Sequence, residues 1–273
     1  MANDANVRAA RAYLFHDAAH VAELARLEAL QAVFDPHTER QLATTGDWSG
    51  RRCLEVGAGA GSIARWMRQQ VGPHGHVVAV DTNARFLEPL RESVEIVEGD
   101  VREVVLEPRA FDVVHARYVL IHNTDSAAVL DALVRCLKPG GWLSLEEPDF
   151  SAAQAFVGSS EACEHFARVQ RALAGSFAAR GLDHAFGRRL AALVRARDLE
   201  LTAIEYDAPV ERGGGALARM MSLSTAQLGP KYVATGQADE SDIRGYERFA
   251  LDPSAWAVYY ATVRVMGRCS QLA

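Results

Sequence analysis

Cysteine is scarce in this chain of 273 residues: there are four, and no two stand in a C-x-x-C pair. Cys53, Cys136, Cys163 and Cys269 therefore point to neither a zinc site nor a disulfide framework, and read as reduced packing residues. Positive charge is also short, with 29 Lys and Arg against 35 Asp and Glu for a net charge of -6. An electrostatic grip on a phosphate backbone needs clustered Lys and Arg, so nucleic acid is not the expected partner. Long apolar runs are missing, since none approaches the roughly 18 residues of a membrane span. The first twenty residues carry Asp4, Arg8, Arg11, Asp17 and two histidines, unlike a secretory leader. These absences predict a cytoplasmic protein with no membrane partner. His16, His20, His37, His74, His76, His165 and His184 share no metal-ligand spacing, and no metal is expected. What is present is ordinary globular composition, 49% hydrophobic and 23% charged, in a length that fits one or two domains.

The first 45 residues read as helical, because Val21, Leu24, Leu27, Leu30 and Val33 recur near helical spacing until Asp35-Pro36, where a break is expected. From Arg51, short apolar runs alternate with helical ones, the pattern of strand-helix units and a parallel sheet. The runs are Cys53 to Val56, Val77 to Val80, Val94 to Val97, Phe111 to Val114 and Trp142 to Leu145. Before the last of them, Val129, Leu130, Leu133, Val134 and Leu137 draw one helical face, ended by Lys138-Pro139-Gly140-Gly141. After Pro148 the rhythm breaks: Phe166, Val169, Leu173 and Phe177 mark a longer helix, Leu190, Leu193 and Val194 another, and Leu199 to Val210 a strand. Gly213-Gly214-Gly215 reads as a flexible joint, 216 to 251 as helical, and Trp256 to Val265 as one final strand. The expectation is an α/β sheet with helical additions that cap a cleft.

The strongest local signal is Leu54-Glu55-Val56-Gly57-Ala58-Gly59-Ala60-Gly61-Ser62, a strand running into glycines and then into Ile63, Trp66 and Met67 at helical spacing. Glycine lets backbone turn sharply and approach a ligand with no Cβ in the way. Asp81 closes the next strand at a distance that suits a carboxylate accepting hydrogen bonds from a ribose diol. Two nucleoside cofactors fit such a turn, a dinucleotide and S-adenosylmethionine. The dinucleotide fingerprint is G-x-G-x-x-G, whereas here the pattern is G-x-G-x-G with Ser62 in the sixth place.

With these residues the chain resembles a class I S-adenosylmethionine-dependent methyltransferase of the small-molecule type. The resemblance rests on the E-x-G-x-G-x-G turn, on Asp81, on Asp100 in Glu98-Gly99-Asp100-Val101, on Phe111-Asp112-Val113-Val114 and on the K-P-G-G turn, and it covers about residues 46 to 150. It implies a Rossmann-like seven-stranded sheet of order 3-2-1-4-5-7-6 with the seventh strand antiparallel, under a helical cap. It implies an N-terminal helical lid over 1–45 and a methyltransferase domain over 46–273, with cap insertions at about 151–198 and 212–252. By the same resemblance Glu55, Gly57, Gly59, Gly61 and Ser62 lie beneath the cofactor, Asp81 with Thr82 meets its ribose, and Asp100 with Val101 meets its adenine. The cofactor's sulfonium is cationic, and the carboxylates of Glu55, Asp81 and Asp100 supply negative potential; Glu55 serves equally as a brace for the turn.

Methyl transfer is promoted chiefly by holding acceptor, methyl and sulfur in line, and a base helps where the acceptor carries a proton. His115-Ala116-Arg117-Tyr118-Val119-Leu120-Ile121-His122 leaves the fourth strand toward the cleft. Resemblance to small-molecule methyltransferases with a V-L-x-H histidine places His122 against the acceptor, as general base or orienter or else as a packing residue, with Tyr13 as the closing lid. His115 contacts the cofactor or packs beneath it, and Arg117 is placed at the cofactor carboxylate or in a surface ion pair. Glu147, in Glu146-Glu147-Pro148-Asp149, either orients the acceptor or is a solvated turn residue. The expected partner is a small-molecule acceptor. A base-flipping enzyme would show N/D-P-P-Y/F where this chain has His115-Ala116-Arg117-Tyr118, and a nicotinamide-dependent oxidoreductase usually carries Tyr-x-x-x-Lys, but Tyr118 is followed by His122. A protein of the same fold that uses the cofactor in a non-methylating or regulatory role stands as the alternative.

Overall fold

A computed structural model describes residues 20–270. The apolar runs become parallel strands: β1 (Arg52–Val56), β2 (His76–Asp81), β3 (Glu95–Glu98), β4 (Phe111–Arg117) and β5 (Leu137–Asp149). Both faces of the central strands are covered, which is why β2 reads as an unbroken Val-Val-Ala-Val run and β1 buries Glu55 along with its apolar residues. On β1, Leu54 and Val56 join one apolar layer and Cys53 the other. Two later strands, β7 (Glu200–Asp207) and β10 (Ala261–Arg268), complete the seven-stranded order β3-β2-β1-β4-β5-β10-β7. Counted along the strands of this sheet, that is the expected 3-2-1-4-5-7-6, with the last strand antiparallel to both neighbours. The order reverses between β1 and β4, so the crevice at their carboxyl ends is where a ligand fits.

Helix α1 (His20–Ala43) precedes the sheet, α2 (Ser62–Val71) follows the glycine turn, and α3 (Ser126–Cys136) links β4 to β5. The Asp125 carboxylate accepts from the Ala128 amide and caps α3 at its start. Helix α1 departs from expectation in two ways. It runs through Pro36 to Ala43, because the contacts around the proline outweigh its cost of about 3 kcal/mol: Arg117 holds Asp35, and the Thr38 hydroxyl donates to Glu146 of β5. The apolar stripe also makes up only part of its packed face, Leu30 and Val33 lying against the core. Val21 is 79% exposed while Glu23 and Arg26 are buried, a placement open to two charges that satisfy each other.

The cap is built from α4 (Ser160–Ala178), α6 (Ala216–Val233) and α7 (Glu240–Leu251), with the short α5 (Leu190–Arg195) leading into β7. It is not wholly helical. A second sheet of order β6-β9-β8 joins β6 (Gln154–Val157), β8 (Glu211–Arg212) and β9 (Trp256–Val258). The expected single final strand is thus two, broken at Tyr259 and Tyr260, whose rings are buried against Phe166 and Phe150. The triple-glycine joint is held rather than loose: the Gly213 and Gly214 amides donate to the carbonyls of Ala255 and Ala250. No helix among the described residues is long and apolar enough to cross a membrane.

Candidate active site

One cavity of about 270 Å³ opens at the carboxyl ends of β1 and β4. Its floor is the glycine turn, with Gly57 at φ +72° and Gly59 at φ +57°, conformations that cost an L side chain roughly 1–2 kcal/mol. At Gly57 a Cβ would fall 2.3 Å from a Val119 methyl. Glu55, Gly57, Gly59, Ser62, Asp81, Thr82, Asp100 and Val101 all line this end, as expected. Gly61 does not: it faces Leu87 and Leu90, where an added Cβ would lie 2.5 Å from Leu90 Cδ1. Its task is to let the packed loop 84–90 approach the start of α2. Asp81 Oδ2 accepts from the Gly59 amide at 2.8 Å and Oδ1 from Asn83 at 2.9 Å, so this carboxylate braces the turn from the cavity wall. Burial raises its pKa and the two amides pull the other way. Asp100 is fixed by the amide and guanidinium of Arg102.

Three expected site residues lie off the cavity wall or are engaged elsewhere. His115 is fully buried within the sheet, its Nδ1 2.6 Å from Glu55 Oε2 and its Nε2 3.4 Å from Glu146 Oε1. It packs beneath the cofactor end and does not line it. Glu147 is fully buried as well, accepting from the amides of Val119, Leu120 and Ile121 at 3.0, 2.7 and 3.1 Å. It pegs the tight turn Leu120–His122 and is neither solvated nor turned to the acceptor. Arg117 borders the cavity but donates to Asp35 and Thr38 of α1, an internal pair rather than a surface one. Tyr13 and Phe15, with the segment 1–19 given to the lid, lie outside the described residues.

His122 does line the cavity, at the end of the turn that Glu147 pegs. Burial and the nearby Arg26 charge push its pKa down to about 3, so the ring is neutral across the physiological range. Facing it across the cavity stand Leu27 and Leu30 from α1, Phe150, Leu173 and Phe177 from the cap, Met220 and Met221 from α6, and Tyr260.

A sequence model of a family described as a methyltransferase domain matches residues 24–204. The chain belongs to this methyltransferase family. It is 32% identical over 171 residues to methyltransferase Str2 of Strobilurus tenacellus, across 62% of this chain and 60% of that one. It is also 32% identical over 112 residues to the ubiquinone/menaquinone biosynthesis C-methyltransferase UbiE of Pseudomonas syringae pv. syringae (strain B728a), across 38% and 44%. The chain thus spans only part of the length of these curated relatives. In fold it is similar to the YcgJ protein of Bacillus subtilis, with a TM-score of 0.56 at 15% identity over 86% of this chain and 98% of that one. The [4+2]-cyclase SpnF has the same fold, with a TM-score of 0.53 at 18% identity over 85% and 80%. By family, sheet order and glycine turn, the chain carries a methyltransferase domain of the class I, S-adenosylmethionine-dependent type.

The cavity fits the family's cofactor on its own terms. Gly57 and Gly59 leave bare backbone on the floor, and Glu55, Asp81 and Asp100 surround it with carboxylate oxygen, acceptors suited to ribose hydroxyls and negative charge suited to a cationic sulfonium. Among the residues not foreseen from sequence, the cavity roof includes the buried Glu23–Arg26 pair, in which Arg26 Nε and Nη2 donate to the two carboxylate oxygens at 2.9 and 2.7 Å. Charged residues at i and i+3 ordinarily mark a solvated face, so nothing in the sequence signalled their burial. Met220, Met221 and Tyr232 were legible only as generic helix-face residues.

Proposed function

We propose that the protein transfers a methyl group from S-adenosylmethionine to a small acceptor with an uncharged, largely apolar body. The observation that carries this reading is the cavity at the ends of β1 and β4: carboxylates and bare glycine backbone at one end, and Leu, Met, Phe and Tyr side chains beside the mutually paired Glu23 and Arg26 at the other. When bound, the cofactor supplies a methyl group on a positively charged sulfur. Asp81 then accepts from ribose hydroxyls, Asp100 holds the adenine end, and the apolar wall excludes water and aligns the acceptor. His122, neutral, orients the acceptor through a hydrogen bond; a ring whose pKa is about 3 is too weak a base to remove a proton efficiently. UbiE and Str2 are methyltransferases by name, which supports the same chemistry here. SpnF carries a cyclase on this fold, so the fold by itself does not settle the reaction.

The test is incubation of the protein with methyl-labelled cofactor and two acceptor panels, one of uncharged phenols and enols and one of amino acids and phosphorylated amines. Labelled products from the first panel alone are expected. Labelled products only from the second would overturn the acceptor class, and tight cofactor binding with no labelled product from either would favour the non-methylating reading.

A further inference from the structure

Beneath the cavity runs a chain of buried polar groups of which Glu55 and Arg117 border it, while His115, Thr38 and Glu146 lie off its wall. It starts at Glu55 on β1, whose carboxylate lies 2.6 Å from His115 Nδ1 on β4. The other ring nitrogen of His115 faces Glu146 on β5 at 3.4 Å. Glu146 Oε1 accepts from the Thr38 hydroxyl of α1 at 2.5 Å, and its Oε2 accepts from Arg264 Nε of β10 at 3.0 Å. Arg117 closes the path, donating to Thr38 Oγ1 at 2.8 Å and to Asp35 Oδ1 at 2.7 Å. His115, Thr38 and Glu146 are fully buried. Both ring nitrogens of His115 face carboxylate oxygen, so a neutral ring would set a lone pair against one of them; only the imidazolium donates to both.

We propose that His115, as a buried imidazolium, is a positioning residue that joins the strand feeding the glycine turn to helix α1, so that the cofactor floor and the cavity roof hold their places as one unit. Glu55 sits two residues before Gly57 and its carboxylate borders the cavity, while Leu27 and Leu30 on α1 form the roof. Thr38, Glu146 and His115 thus give a displacement of α1 a polar path to Glu55, beside the direct approach of Leu27 to Gly59. The groups facing His115 fix its charge. Glu55 from β1 and Glu146 from β5 favour the cation; Arg117 from β4 and Arg264 from β10 oppose it and are themselves balanced by Asp35 from α1 and Asp207 from β7. Burial disfavours the charged ring, but the two carboxylates outweigh it and raise the pKa to about 9. Because the folded value lies above the ordinary 6.5, the clamp is complete below that ordinary value and is lost as pH rises through about 9.

Three readouts test this. Nitrogen-15 spectra of the histidine rings, with His115 identified by the signal lost in His115→Gln, should show both nitrogens protonated at neutral pH; a neutral His115 ring there overturns the proposal. Affinity for S-adenosylhomocysteine, measured by calorimetry, should fall roughly 5- to 10-fold in Thr38→Val, although Thr38 does not border the cavity, and by a similar factor in His115→Gln, with the double variant little worse than either single one. Wild-type affinity in Thr38→Val, or additive losses, would refute the coupling. Finally, the ratio of wild-type to His115→Gln affinity, in which the ligand's own titration cancels, should be constant near neutrality and approach one as the wild-type ring loses its proton. A merely structural histidine would lower the melting temperature and leave that ratio flat with pH. If His115→Gln does not fold, the ring spectra of the wild-type protein, assigned through Glu55→Gln, and the Thr38→Val affinity still decide.

Discussion

At the cofactor end the cavity is mostly backbone and short carboxylates, drawn from β1, the turn after it and the ends of β2 and β3; at the acceptor end it is long side chains drawn from positions as far apart as Leu27, Leu173, Met221 and Tyr260. The first end is specified by conformations that only certain residues adopt, such as Gly57 at φ +72°. The second is specified by volume, which many residue combinations satisfy. Substitutions at the first end should therefore act on cofactor affinity with large and abrupt effects, and those at the second on acceptor handling with graded ones.

The sharpest way to break that contrast is Gly57→Ala. The added Cβ meets Val119 and adopts a disfavoured backbone angle, so cofactor affinity measured by calorimetry should fall by about 100-fold or more. Asp81→Ala comes next: it leaves the Gly59 amide without its acceptor and removes the carboxylate proposed to meet the ribose hydroxyls, at an expected cost of about 1–3 kcal/mol in the same measurement. His122→Ala should move turnover with little change in cofactor affinity. A loss near 10-fold fits an orienting hydrogen bond, whereas general-base assistance is worth about 10² to 10⁴. Because the ring stays neutral down to about pH 3, the wild-type pH–rate profile should show no histidine inflection just below neutrality that disappears in this variant. The smallest effect is expected from Met221→Leu, a volume-conserving change on the apolar wall costing less than about 1.5 kcal/mol, read as a few-fold change in acceptor KM with the cofactor constant unmoved. A large cofactor effect from Met221→Leu would erase the distinction between the two ends.

The same contrast explains what the sequence disclosed. The parallel strands, their order through the resemblance, and the glycine turn with Asp81 and Asp100 were legible because each depends on neighbouring residues: a strand that must turn, or a carboxylate that ends a strand. Glu147 was assigned to the wrong surroundings, and of the two places left open for His115 the buried one beneath the cavity is where it sits. Adjacent strand residues point to opposite faces, and nothing local says that Glu146 meets a histidine while Glu147 meets three amides. Helix α1 passed Pro36 because Arg117, 82 residues away from Asp35, holds the segment in place. The acceptor wall was illegible for a related reason, since Met220 and Leu173 obey the same helical spacing whether they fill a core or border a cavity.

The break at Tyr259 and Tyr260 bears on how such a protein diversifies. Strands β7 and β10 are hydrogen-bonded neighbours, with Asp207 opposite Thr262, so the chain that departs after β7 to form β8, α6, α7 and β9 re-enters the sheet beside its point of departure. A segment with adjacent ends is a transplantable module: its length and content can change without shifting the register of the strands that carry the glycine turn. Inheritance can thus exchange the Met220 and Met221 wall for another lineage's wall, and alter what is recognised while the cofactor floor is passed on intact.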